Sequence, residues 1–181
     1  MISTRTRALD AAVDLLGTQG LRALTHARVD ERAGLPKGST SNYFRTRLAL
    51  LTGVVDYLAD EDSRAVGAAF APATVEEFVD AMCGLFDYIT RVNRVRTTAR
   101  LVLFLEGSHD PAIREALSRG RELLENQAAE ALAALGAPQP REAARAISAA
   151  SEGLILHRIA RHDDVDPRAT YELLLKVALA G

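Results

Sequence analysis

The stretch from Thr25 to Leu51, THARVDERAGLPKGSTSNYFRTRLALL, constrains the fold more than any other part of the chain. Thr25 is placed to cap a helix, because its hydroxyl accepts from a free N–H of the first turn. Val29 and Ala33, four apart, mark the inward face of that helix. Gly34 falls where the helix must end in a left-handed residue, which glycine adopts at little cost. Leu35 then turns inward, and Pro36 suits the first turn of a second helix, where its missing N–H is no loss. Lys37, Gly38, Ser39, Thr40, Ser41 and Asn42 follow without a large apolar residue among them. Tyr43 and Phe44 close the segment. The reading is a short helix, a tight turn and a second short helix, with a third beginning near Arg47.

A helix so short with an almost wholly polar face makes a poor scaffold element. It suits a major groove, where Ser, Thr and Asn side chains reach base edges and Lys37 reaches phosphate or guanine. The plain alternative is a solvated surface helix. Charge favours the groove: residues 1–50 carry eight basic and four acidic side chains, whereas the remainder is net −6, so the overall −2 hides a basic head on an acidic body. The excess is small. One head alone should bind weakly, and tight binding calls for two heads on one double-stranded DNA.

In order and spacing, Thr25, Glu31-Arg32-Ala33-Gly34-Leu35, Lys37-Gly38-Ser39, Tyr43-Phe44, Arg47 and Ala49-Leu50-Leu51 resemble the DNA-binding domain of the TetR family of one-component bacterial regulators. Ala8, Leu9, Ala12, Val13 and Leu16 fit the helix before it. The chain departs from the pattern at Thr40-Ser41, where many members carry Leu-Tyr, and at Arg47, where lysine is usual. The resemblance implies a DNA-binding domain over 1–46 and an effector-binding and dimerisation domain over 47–181. The expected DNA contacts are Thr25, Arg28, Pro36, Lys37, Gly38, Ser39, Thr40, Ser41, Asn42, Tyr43 and Arg47.

The rest of the chain reads as helices. One runs from Arg47 to about Ala69 and is broken by Pro72. Thr74 caps the next, whose Val75, Phe78, Val79, Met82, Phe86 and Ile89 repeat at three and four. A break near Asn93 precedes a helix over Arg96 to Leu105, ended by Gly107. Ser108 or Asp110 caps another that reaches Gly136. Pro140 to His162 and Pro167 to Ala180 complete an all-α chain of nine helices. From Ala143 to Ala160, small and apolar residues occupy nearly every side, and the last helix is similar. Such helices need cover on two sides. The centre of the chain's own domain could supply it, but in a chain of this size a partner subunit explains one side better, and the resemblance implies a homodimer paired through the last two helices.

The resemblance also places a small-molecule effector pocket among the middle helices. The candidates are Phe78, Met82, Phe86, Leu101, Phe104, Leu124 and Leu156, with Arg100, Asn126, Gln127, Glu152 and His157 for polar contacts. An effector that favours a splayed dimer would release a palindromic operator, which makes the chain a repressor.

Other chemistry finds little support. Glu106 and His109 have the spacing of half a Glu-x-x-His metal motif, but only one copy exists and Gly107 interrupts it. No nucleophile elbow or phosphate loop occurs, so neither an enzyme nor a cofactor is expected. The lone Cys83 suits a reducing compartment and reads as a buried, inert thiol. No apolar run approaches the ~20 residues of a membrane span. No apolar core follows Arg7, so no secretion signal is expected and the location is read as cytoplasmic. The alternative to a regulator is a helical small-molecule-binding module or enzyme without DNA binding.

Overall fold

Local sequence sets the helix ends in this computed structural model, which describes residues 2–67 and 72–180, with the side chains of 62–67 left aside. Ser3 caps α1 (Thr4–Gln19) by accepting from the Thr6 N–H. Gly20, at φ 76°, stops it. A 3₁₀ turn, Leu21–Ala23, leads to α2 (His26–Arg32) and α3 (Ser39–Tyr43). Thr46 then accepts from the Ala49 N–H at the start of α4 (Arg47–Gly67). The sequence end expected near Ala69 lies outside the described residues. After Pro72, Thr74 accepts from the Glu77 N–H and starts α5 (Val75–Asp87), which runs into a π turn at Tyr88–Val92. Then come α6 (Arg94–Glu106) and α7 (Pro111–Ala134), the latter capped by Asp110, whose Oδ1 accepts from the Ala112 N–H at 2.9 Å. Pro140 opens α8 (Pro140–Leu156), a second π turn covers His157–Arg161, and α9 (Arg168–Leu179) follows. The described residues thus form nine α-helices and no strand, as the periodicity predicts. No described helix is long and apolar enough to cross a membrane.

Two compact units result, one from Met1–Asp62 with Arg94–Gly120, the other from Ser63–Asn93 with Arg121–Gly181. They do not follow a cut at 46/47, because α6 and the start of α4 share a core with α1. Leu9, Leu16, Val29, Leu50, Val54, Leu103 and Ile113 are buried together there. Gly17 is what lets α1 lie so close to α6: a Cβ at that position would overlap the Val95 carbonyl. A polar tie accompanies this contact. The Tyr57 hydroxyl donates to Asp10 at 2.7 Å, and Arg96 donates to the same carboxylate oxygen at 3.1 Å.

The second unit is built on Phe78, Val79, Leu132, Ile147, Tyr171 and Leu175. Near one end, buried Arg158 lies over the Phe86 ring, 4.8 Å from its centre, and pairs with Asp87 at 3.5 Å and Asp164 at 3.4 Å. That arrangement holds the turn after α8, where His162 takes a left-handed φ of 59°.

Candidate nucleic-acid interface

α2, the turn and α3 form the candidate interface. Thr25 caps α2 through the Arg28 N–H, as its residue type predicts. Gly34 ends the helix region at φ 61°, and the Leu35 N–H returns to the Asp30 carbonyl at 2.8 Å. Arg7, from α1, donates to the Ala33 and Gly34 carbonyls at 2.7 and 3.2 Å, placing a cation at the negative end of α2.

The second helix begins later than its sequence suggests. Pro36 and Lys37 do not form its first turn. The chain makes a separate turn there, Gly38 takes φ 90°, and α3 starts at Ser39. The cause is Asp30. Its Oδ2 accepts from the Gly38 N–H at 2.7 Å, and its Oδ1 accepts from the Thr40 N–H at 2.8 Å and the Thr40 hydroxyl at 2.5 Å. Burial by itself would raise the Asp30 carboxyl; the bonds from Thr40 and Gly38, with a smaller contribution from His26, outweigh it and hold the group below the ordinary carboxylate range.

This start rotates the helix so that Thr40 points inward with 0% exposure. Its hydroxyl is bonded to Asp30 and does not face solvent, which removes it from the expected contacts. Ser41, Asn42 and Tyr43 are exposed, as are Thr25, Arg28, Pro36, Lys37 and Arg47; Gly38 and Ser39 are half-buried. Ser39 and Ser41 bond back to the Pro36 and Gly38 carbonyls at 2.6 and 2.9 Å. Arg47 donates to the Leu21 carbonyl at 3.1 Å, and Arg28 bonds Gln19. At the far end of α3, His26 Nε2 lies 2.6 Å from the Phe44 carbonyl, and the Phe44 ring is buried.

Sequence reading missed Asp30 and His26. Asp30 carried a signal: an acidic residue beside Val29, on the inward side of α2, that faces a run of small donors.

The expected effector residues are not gathered in the same way. Phe78 and Phe86 are fully buried core of the second unit, and Phe86 lies under Arg158; Met82 is half-buried beside that core. Asn126 and Leu156 are exposed, and Glu152, also exposed, pairs with Arg121 at 2.7 Å. Arg100 and Phe104 belong to the first unit, Phe104 being 52% exposed. An open cleft of about 260 Å³ lies between the start of α8 and the end of α9, lined by Gln139, Glu142, Ala146, Leu174 and Val177 among others, and none of the twelve effector candidates lines it. Cys83 is half-buried, with its thiol pushed up by burial.

The family model described as "Bacterial regulatory proteins, tetR family" matches residues 8–54, and that described as "Tetracyclin repressor-like, C-terminal domain" matches residues 73–181. The HTH-type transcriptional regulator BetI of Serratia proteamaculans is 27% identical over 164 residues, which cover 87% of this chain and 81% of BetI. Among solved structures, the multidrug binding protein EbrR complexed with ethidium superposes with a TM-score of 0.80 at 22% identity, covering 97% of this chain and 99% of EbrR. A TetR-family member from Streptomyces coelicolor A3 gives 0.77 at 24% identity, covering 96% and 97%.

Proposed function

The chain belongs to the TetR family of bacterial transcriptional regulators, and we propose that it works as a homodimeric repressor, released from a palindromic operator by a small-molecule effector. The observation that carries the DNA reading is α3 itself: five residues, polar, with Ser41, Asn42 and Tyr43 outward and the chain before and after it tied to α2. Lys37, Arg28 and Arg47 stand around it as phosphate contacts, with Pro36, Gly38 and Thr25 lining the approach. Asn42 and Ser41 are the base readers.

The dimer reading rests on α8 and α9. Ala146, Ala149, Gly153, Leu156 and Ala160 recur at three and four along one exposed side of the α8 region, and a Cβ at Gly153 would meet nothing within 4 Å. On α9, Leu173 and Val177 are 62% and 69% exposed. Large aliphatic side chains beside a stripe of small ones suit close approach by a second copy. Two-fold pairing would set the reading helices one duplex turn apart, about 34–36 Å. Leu156 stands on this stripe, which favours a contact role for it over pocket lining.

For the effector, EbrR is a multidrug binding protein seen with ethidium, and BetI is a transcriptional regulator. A small lipophilic molecule touching Met82, with polar contacts from Asn126 or Glu152 of the same unit, is the matching proposal here. We assign the chain no catalytic role, and a cytoplasmic location follows from its work on DNA.

The test is selection from a random duplex library at two salt concentrations, with sequencing of the bound pool. A palindrome with half-sites one helical turn apart and a steep loss of binding with salt is the expected result. No enrichment and no binding at low salt would overturn the reading.

A further inference from the structure

α3 is too short to hold its own place. Five residues cannot make a helix that persists in water, so the aim of Ser41, Asn42 and Tyr43 depends on whatever grips the segment. Its first N–H groups have no partner within the helix, and the residue at its N-cap position, Gly38, has no side chain to offer. The missing acceptor comes from another helix. Asp30, eight residues before Gly38 and 3% exposed, takes the Gly38 N–H on one carboxylate oxygen and both Thr40 donors on the other.

We propose that Asp30 is a positioning residue for operator recognition: from α2 it fixes the start and rotation of α3, and so decides where Asn42 and Ser41 meet base edges. The inference rests on the regulator reading above. Asp30 touches no DNA in this scheme. It sets the turn at Gly38, the inward placing of Thr40 and the outward placing of the next three residues.

The charge of the group makes this role separable from bulk stability. A carboxylate beside a polyanion lowers non-specific affinity. Replacing it by a neutral isostere therefore leaves non-specific binding equal or better, while a displaced α3 loses base contacts. Asp30→Asn is that isostere. Its carbonyl oxygen still accepts from Thr40, but its NH₂ meets the Gly38 N–H donor to donor.

The experiment uses the full chain, the duplex enriched by the wild type and a scrambled duplex of equal length at one salt concentration. Expected for Asp30→Asn is a rise of about tenfold or more in the operator Kd, with the scrambled Kd within about twofold of wild type. Thr40→Val, which removes one donor and keeps the shape, should give a smaller loss of about threefold, and Thr40→Ser should bind as wild type. An operator-to-scrambled ratio unchanged in Asp30→Asn overturns the proposal. Should that variant fail to fold, the Thr40 pair decides: equal ratios for Val and Ser overturn it, and a loss with Val restored by Ser supports it. A wild-type chain that enriches no duplex overturns the regulator reading itself, and the role of Asp30 with it.

Discussion

In the proposed function the α2–α3 segment and the α8–α9 face each meet a partner, but opposite physics shapes them. Around α3 the chain satisfies its polar groups inwardly. Asp30 bonds the start, His26 meets the end, and Arg7 holds the intervening turn. What remains outward is small, polar and flanked by cations. On α8 and α9 the interior is satisfied by apolar packing around Ile147, Tyr171 and Leu175, and part of what remains outward, the small-residue stripe with the larger Leu173 and Val177, is also apolar. A polar surface can wait in water without cost, so it must be held rigid to be specific. An apolar surface left in water carries a standing penalty of roughly 25 cal/mol per Å², which burial against another copy removes.

The comparison breaks most visibly if the apolar face is made polar. Leu173→Glu with Val177→Glu places two charges where a partner should exclude water. The expected result is a dimer dissociation constant raised by about a hundredfold or more, read by sedimentation equilibrium, with helix content unchanged because both side chains are already exposed. A dimer of unchanged affinity would remove this face from the assembly. The same pair of changes on a surface unrelated to assembly would cost almost nothing.

A second effect, smaller, belongs to the core of the first unit. Gly→Ala within a helix ordinarily gains up to about 1 kcal/mol. At Gly17 the sign reverses, because the new methyl overlaps the Val95 carbonyl and backbone must move. Overpacking of this kind costs about 1–3 kcal/mol, and urea unfolding of Gly17→Ala checks it. A variant more stable than the wild type would mean that α1 and α6 stand farther apart than described.

How far these regions were legible in the sequence follows from the range of the interactions. Thr25, Thr74, Gly34 and Pro140 act on neighbours within a few residues, and the helices they bound lie where the sequence places them. The stripe on α8 is also local, since periodicity alone lays Ala149, Gly153, Leu156 and Ala160 on one side. The start of α3 was not legible in this way. Pro36 at a helix start is a sound local expectation, overridden by a carboxylate eight residues back in another helix. Phe78 and Phe86 were ambiguous for a similar reason: aromatic residues at helical spacing are core and pocket lining alike, and both are packed into the core.

The smallest effect is electrostatic and tests the claim that α3 is held by a charge. The Asp30 carboxyl titrates below its ordinary value in the folded chain because the Thr40 and Gly38 bonds outweigh its burial. A group with a depressed folded value binds protons more readily when unfolded, so its contribution is complete above the ordinary carboxyl range. It is lost as the pH falls below that range and through the lowered folded value. Many of the 24 acidic residues titrate in the same interval, so the wild-type curve alone does not isolate it. The difference between wild type and Asp30→Asn does: the wild type should lose stability relative to the variant as the pH falls from 6 toward 3, a window set by the ordinary value of ~3.9. Melting temperatures of both chains across that range give the measurement. Parallel curves would mean that Asp30 is no better bonded folded than unfolded, and the rigid start of α3 would need another cause.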